Sequence, residues 1–300
     1  MFWLRWFVWG ILVSPAWLAA QDFQDGEYIP QGRYLLRWGL QPGQKFQVEA
    51  FQRVVTDTEG PLGSSGPVPA SLTILQDWEV IDRNEKTITL LQTFRQLKME
   101  MIYPVVGKIA TDTADPAPEN TIAKQVHRNL TELVGRSIQI QMDRLGKVSK
   151  YQFLEPVAGA DAAPNAQFLT ADNLKNAVGQ MVQFPEYSLA VGDTWATTHP
   201  LAQTPGSAEV TTEYRLQSVS SDDPNLLKIQ VAPKLQLHGD DQKLEIEEQS
   251  SDGFVLYDHA QRMVRETSLT QSLTIRIAGA APGKRKIETT VRMKIAPTGE

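Results

Sequence analysis

The sequence predicts a mainly β protein of the α+β kind: curved antiparallel sheets, half-barrel or barrel-like, built from two similar halves with two short helices. Three observations carry this. Apolar and polar residues alternate with period two over many segments, the spacing of a strand with one inward face. The opposite faces carry Gln, Thr, Lys and Glu, so one side meets water, which suits an antiparallel sheet rather than a doubly covered parallel one. A loop phrase is also written twice: Leu40-x-x-Gly43-x-x-Phe46 returns as Leu189-x-x-Gly192-x-x-Trp195, an apolar residue, a tight turn, then an aromatic that opens a strand.

The chain begins "MFWLRWFVWGILVSPAWLAA", with Arg5, an apolar run from Trp6 to Val13, Pro15, and small residues at Ala19 and Ala20. That is the layout of a secretory signal peptide over residues 1–20. The run is shorter than the roughly 20 residues that span a bilayer core, and a retained anchor is the alternative. The expected location is therefore outside the cytoplasm, periplasmic or extracellular, with no stable membrane span after processing. Removing Arg5 with the leader takes the formal charge from −6 to −7. A mildly acidic chain lacks the clustered Lys and Arg that nucleic acid needs. The longest basic run, Lys284-Arg285-Lys286, reads as a solvated hairpin tip. With no Cys there is neither a disulfide frame nor thiolate chemistry, so packing must supply the stability.

Residues 21–300 read as a single β-rich domain, with pseudo-halves at about 34–155 and 172–295 and a linker at about 155–170. In the first half, strands are expected at Phe46–Val54, Leu72–Ile81, Thr87–Met101, Ser137–Met142 and Lys147–Phe153. Within Thr87–Met101 the apolar parity switches from Ile88, Leu90 and Phe94 to Leu97, Met99 and Met101, which predicts a β-bulge near Arg95. "DTEGPLGSSGPVPA" reads as a hairpin loop. "PENTIAKQVHRNLTELVG" predicts a helix capped at Glu119–Asn120, with a stripe at Ile122, Val126, Leu130 and Leu133 and a stop at Gly135. "EPVAGADAAPNAQ" has no periodicity and is the linker. "TADNLKNAVGQMVQF" predicts the second helix, with Leu174, Val178, Met181 and Val182 on one face.

In the second half, strands are expected at Ala208–Val219, Leu226–Leu237, Gln242–Glu248, Phe254–Tyr257 and Arg262–Thr267, then a hairpin of Leu269–Ile277 with Lys286–Ile295. Pro233 places an edge or a bulge in Leu226–Leu237. "IQIQMDRLGKVSKY" and "FVLYDHAQRMVRE" both turn at an aspartate, Asp143 and Asp258, in the same order within each half. The offsets differ: Leu40 to Leu189 is 149 positions and Asp143 to Asp258 is 115.

"LLRWGLQPGQKFQV", "IATDTADPAPEN", "LVGRSIQIQMDRLGKVSKYQ" and "FPEYSLAVGDTWATT" together resemble an uncharacterised family of exported bacterial β-rich proteins, a domain of unknown function, over roughly residues 34–295. The resemblance implies class and location and brings no catalytic or binding residues. More loosely, the strand-rich, helix-poor order is similar to envelope lipid carriers that hold an acyl chain in a half-barrel, an analogy of fold alone.

Chemical constellations are thin. His127, His199, His238 and His259 fall in no zinc-ligand spacing and read as surface or cap residues; Asp240 and Asp241 read as a solvated turn. Asp258 with Glu266, or Asp143 with Glu155, would be the acid/base pairs of a hydrolase, but both aspartates are explained as turn residues bonding their own backbone. No cofactor, metal or catalytic residue is expected, and the chain reads as non-enzymatic. The aromatics Trp38, Phe46, Phe51, Trp78, Phe94, Trp195, Tyr214 and Phe254 belong to the apolar side. Core packing is one reading. The other makes Phe46, Trp78, Phe94, Met99, Met101, Met181, Trp195 and Tyr214 the lining of a cavity for an apolar small molecule or lipid. A structural or interaction module docking an envelope protein is the alternative function.

Overall fold

The computed structural model describes residues 32–61, 63–103, 107–155, 182–201, 207–238, 244–278 and 282–298. The leader, the linker from residue 156, the second predicted helix up to Met181, and Asp240 and Asp241 lie outside them.

The elements run β1 (Arg33–Tyr34), β2 (Lys45–Gly60), β3 (Gly63–Ser64), β4 (Val68–Arg83), β5 (Ile88–Tyr103), β6 (Gly107–Asp112), α1 (Thr121–Thr131), β7 (Ser137–Met142) and β8 (Val148–Phe153). They continue as β9 (Leu189–Ala190), β10 (Thr194–Leu201), β11 (Ser207–Val219), β12 (Leu226–His238), β13 (Leu244–Asp258), β14 (Met263–Ile277) and β15 (Gly283–Pro297). β1 and β9 pair with each other, Tyr34 opposite Leu189 and Arg33 opposite Ala190. The other strands form one 13-stranded antiparallel sheet in the order β10-β11-β12-β13-β14-β15-β2-β4-β5-β7-β8, with β3 on β2 and β6 on β5. The seam between the halves is the ladder of β15 with β2, running from Pro297 opposite Phe46 to Lys284 opposite Glu59.

The sheet curls. Tyr151 and Phe153 of β8 and Trp195 and Tyr214 of β10 and β11, at opposite ends of the strand order, pack into the same apolar cluster as Phe46 and Val48 of β2 in its middle. A flat sheet could not bring them together. The physical cause is visible in the ladders, which shift register at Ile81, Arg95, Ser149, Gln217, Glu247 and Arg265. Each extra residue bends its strand and raises the local twist. Arg95 is the predicted bulge: Gln96 faces Leu75 and Phe94 faces Gln76, so both Phe94 and Leu97 point inward, and the guanidinium left outside pairs with Asp77.

One end of the curl is filled by the irregular segment Leu36–Leu40, where Leu36, Trp38 and Leu40 are fully buried. Both aspartate turns close on it. Trp38 N–H donates to Arg144 O at 2.8 Å and Gly39 N–H to Arg262 O at 2.8 Å. Asp143 Oδ1 accepts from the amides of Leu145 and Lys147, and Asp258 Oδ1 from that of Gln261. The loop phrase repeats its bonds too: Gly43 N–H donates to Val80 O at 2.8 Å, and Gly192 N–H to Leu216 O at 2.7 Å. Both glycines sit at positive φ, +84° and +99°, where a tight turn needs residues without a Cβ.

Several expectations change. The segments read as Gln242–Glu248 and Phe254–Tyr257 are one strand, β13, and Arg262–Thr267 joins Leu269–Ile277 as β14. β6 was not foreseen; it precedes the helix. α1 begins at the predicted cap, with Asn120 Oδ1 accepting from the amides of Ile122 and Ala123. Its inward face is Ala123, Val126, His127 and Leu130, while Ile122 is exposed. His127 is therefore no surface residue: it is buried, and its Nδ1 meets Thr111 Oγ1 of β6 at 2.8 Å, a bond that meets the imidazole's polar need inside the core. Lys284-Arg285-Lys286 is strand, not hairpin tip. Lys284 pairs with Glu247 and Lys286 with Glu288, while Arg285 takes the inward parity opposite Ile275. Phe51 and Phe254 take the outward parity, Phe254 beneath the ammonium of Lys228 at 5.3 Å.

Candidate functional site

The concave side of the sheet is where the alternation sends its apolar residues, and it has three zones. The largest is the cluster at the Leu36–Leu40 end. It holds Phe46, Trp78, Phe94, Met99, Trp195 and Tyr214, six of the eight sequence-predicted lining residues, all buried. Met101 packs against it half-buried, and Met181 lies outside the described residues. The structure thus brings seven of the eight to one apolar body.

Register explains how. Phe46 faces Trp78 across β2 and β4, and Trp195 faces Tyr214 across β10 and β11, so each copy of the repeated phrase starts its strand with an aromatic opposite another. Trp195 stacks on Tyr214 with centroids 5.0 Å apart and planes 10° apart. Its indole N–H donates to Gln183 O at 2.8 Å, and that of Trp38 to Val182 O at 3.3 Å. Burial pushes the Tyr214 hydroxyl up to about 12. It raises the Tyr257 and Tyr151 hydroxyls as well, further than an ordinary phenol.

The second zone is a smaller apolar cluster towards the opposite ends of the strands: Val54, Ala208, Val210, Leu235, Leu273, Ile275 and Ile287, with Leu237, Leu244 and Ile246 half-buried against it. The third lies between them. At one register level across β15, β14 and β13 stand Thr289, Gln271 and Ser251, and across β12, β11 and β10 stand Pro233, Thr212 and Thr197. All take inward parity, so a polar belt crosses an otherwise apolar face. The sequence did not announce it, because the belt positions lie far apart in the chain and reach one level only through the strand registers.

Inward-facing apolar groups beside this belt are left partly exposed: Leu72 on β4, Met101 on β5 and Val231 on β12 are half-buried. The histidine of β10, His199, shares the inward parity one level further on, opposite Val210. Its pKa is lowered by burial and by the charge of Lys147, which precedes β8.

Three of the four carboxylates named in the sequence are held in other bonds. Asp143 serves its turn while Glu155 pairs with Arg136 at 3.0 Å. Asp258 is buried and accepts two bonds from Arg265, at 3.0 and 2.8 Å. On the convex face, Lys45, Asp77, Glu79, Leu91, Thr93 and Arg95 border a shallow groove of about 120 Å³ whose lining is part charged and part apolar. No helix among the described residues is long and apolar enough to cross a membrane.

Fold and concave face define a class: a curved antiparallel β protein with an apolar inner surface and a wet outer one. The chain belongs to DUF6263, a family of unknown function whose model matches residues 85–278. No curated protein sequence matches it. Among solved structures it is similar to lipovitellin, in a structure of lipid–protein interactions, at 11% identity and TM-score 0.43, over 87% of this chain and 26% of that one. The chain thus spans about a quarter of the lipovitellin chain. It is also similar to an outer membrane channel of Pseudomonas putida F1, at 8% identity and TM-score 0.30, over 90% of this chain and 100% of that one. A third, DynF of the dynemicin pathway of Micromonospora chersina, shows 7% identity and TM-score 0.21, over 91% and 92%.

Proposed function

We propose that this protein is an exported, non-enzymatic binding protein of the bacterial envelope that holds an apolar ligand of hydrocarbon-chain kind against the concave face of its sheet. The observation that carries the reading is the set of inward apolar side chains left half-buried: Leu72, Met101 and Val231 beside the polar belt, and Leu237, Leu244 and Ile246 beyond it. A packed interior covers such positions; apolar area left open to water is stabilised by a ligand at roughly 25 cal/mol per Å² covered. The polar belt suits this role, because pockets for apolar ligands set a few polar groups among many apolar ones to fix orientation. The leader-like residues 1–20 support export.

Native mass spectrometry of protein purified from its own host tests the reading. A bound mass that organic solvent releases, and that Leu72→Asp abolishes, is expected. Protein that is ligand-free as purified and takes up no fatty acid or phospholipid from vesicles would remove it. A second reading, a structural module docking an envelope protein, is favoured by β8 and β10, which end the strand order with one ladder each. Cross-linking in cells that returns only monomer would count against that.

A further inference from the structure

The ladder between β12 and β13 is half a ladder. It runs from Leu226 opposite Asp258 to Val231 opposite Gly253 and stops, although β12 continues to His238 and β13 begins at Leu244. On their other sides both strands stay paired: β12 with β11 to His238, and β13 with β14 to Leu244. Past the break, side chains stand where backbone would. Leu235 N–H donates to Gln249 Oε1 at 2.7 Å, Gln249 Nε2 reaches Leu235 O at 3.5 Å, and Ser251 Oγ donates to Pro233 O at 3.0 Å. Pro233 has no N–H to offer a ladder. A carboxamide thus spaces two strands that the register would otherwise set opposite each other.

We infer that this seam is the lateral portal through which a hydrocarbon chain reaches the concave face, an inference that rests on the function proposed above. Among the described residues the other junctions of the sheet's long strands are backbone ladders, and separating one strand pair there breaks a run of N–H to C=O bonds in concert. Among the described residues, opening the seam breaks three side-chain bonds, one of them long, and Gln249 and Ser251 can turn to water or to a ligand headgroup while the strands stay held by β11 and β14. Beside the inward Gln249 and Ser251, the inner margin of the seam carries Leu235 and Leu237 on β12 and Leu244 and Ile246 on β13, with Leu237, Leu244 and Ile246 half-buried, so a chain that has passed those two polar side chains meets apolar surface. Val231 lies at the end of the intact ladder, beside the belt.

The chain has no cysteine, so two can be introduced cleanly. Lys234 and Ser250 are exposed neighbours across the seam, one position beyond Pro233 and one before Ser251. Lys234→Cys with Ser250→Cys is bridged by a short bismaleimide, and uptake of NBD-labelled phosphatidylethanolamine from phosphatidylethanolamine/phosphatidylglycerol vesicles is followed before and after. The expected result is uptake slowed at least tenfold by the bridge, with the final amount unchanged. Uptake at an equal rate overturns the portal and leaves the binding reading standing; no uptake in either state overturns both. Hydrogen exchange gives a readout that needs no lipid. The Leu235 amide should exchange at least tenfold faster than that of Ile229 in the same strand, and equal protection of the two would also overturn the portal.

Discussion

The Tyr257 hydroxyl donates to Arg37 O at 2.7 Å and accepts from Arg37 N–H at 3.1 Å, so one phenol satisfies both backbone groups of a residue 220 positions earlier. Arg37 belongs to the segment that fills one end of the curl, and Tyr257 ends the β13 strand that walls it. The Arg37 guanidinium extends the clasp, donating to Pro185 O at 2.7 Å and Glu186 O at 2.6 Å. Removing the hydroxyl takes one hydrogen-bond partner from each of two part-buried backbone groups. Tyr257→Phe is therefore expected to lower unfolding free energy by about 1–3 kcal/mol, read from the urea midpoint at unchanged slope. An unchanged midpoint would mean that the clasp contributes nothing to the fold.

Glycines at positive φ separate into two kinds. At Gly192, with φ +99°, an added Cβ meets open space; at Gly146, with φ +91°, it would stand 2.3 Å from Val182 O and 2.5 Å from Trp38 Nε1. Gly192→Ala carries only the backbone strain of the left-handed region, about 1–2 kcal/mol. Gly146→Ala adds a collision with rigid backbone and indole, and is expected to lose at least about 3 kcal/mol or fail to fold. Thermal melts of the pair check this, Gly146→Ala melting well below Gly192→Ala.

The fold was legible where one face is uniformly apolar. The Arg95 bulge could be placed to the residue, because a parity switch has few other causes in a continuous strand. β13 was split in two because Gln249 and Ser251 take its inward positions at the seam and erase the alternation that marks a strand. β6 was passed over because its inward pair is Ile109 and Thr111, one apolar residue and one that bonds His127. His127 reads as exposed because its partner is 16 residues away and comes close only when α1 packs on β6. Seven of the eight candidate residues fall in or against one apolar cluster, since parity names which side a residue takes. Whether that side is filled or open depends on curvature, which arises from bulges whose combined bend no single stretch of sequence discloses.

Two histidines make stability fall in mild acid. Burial lowers the pKa of His199, aided by Lys147, and that of His259, where Arg262 also lowers it and Asp258 opposes. A base whose folded pKa lies below its unfolded value binds fewer protons when folded, so stability present above roughly pH 6.5 is lost as pH falls through that value. The urea midpoint is expected to drop between pH 7.5 and 5.5. In the double variant His199→Gln with His259→Phe the slope should flatten; a slope equal to the parent's would assign the loss to other groups.

The alkaline limb has the opposite sign and a different reporter. Tyr214 is buried beneath Trp195, and its hydroxyl is pushed up to about 12 by burial. An acid raised in the folded state keeps its proton where the unfolded chain has released one, so stability declines as pH climbs from about 10, where an unperturbed phenol ionises. The Tyr151 and Tyr257 hydroxyls are raised by burial and act in the same direction. Tyrosinate absorbance at 295 nm should therefore show a first phase from accessible tyrosines and a second that coincides with cooperative unfolding, when Trp195 fluorescence moves to the red. In Tyr214→Phe the second phase should lose amplitude while the stacked geometry keeps Trp195 emission blue at neutral pH. A single phase centred near pH 10, complete before any change in tryptophan emission, would mean that the Tyr214 ring is open to water and that the aromatic end of the concave face is not sealed.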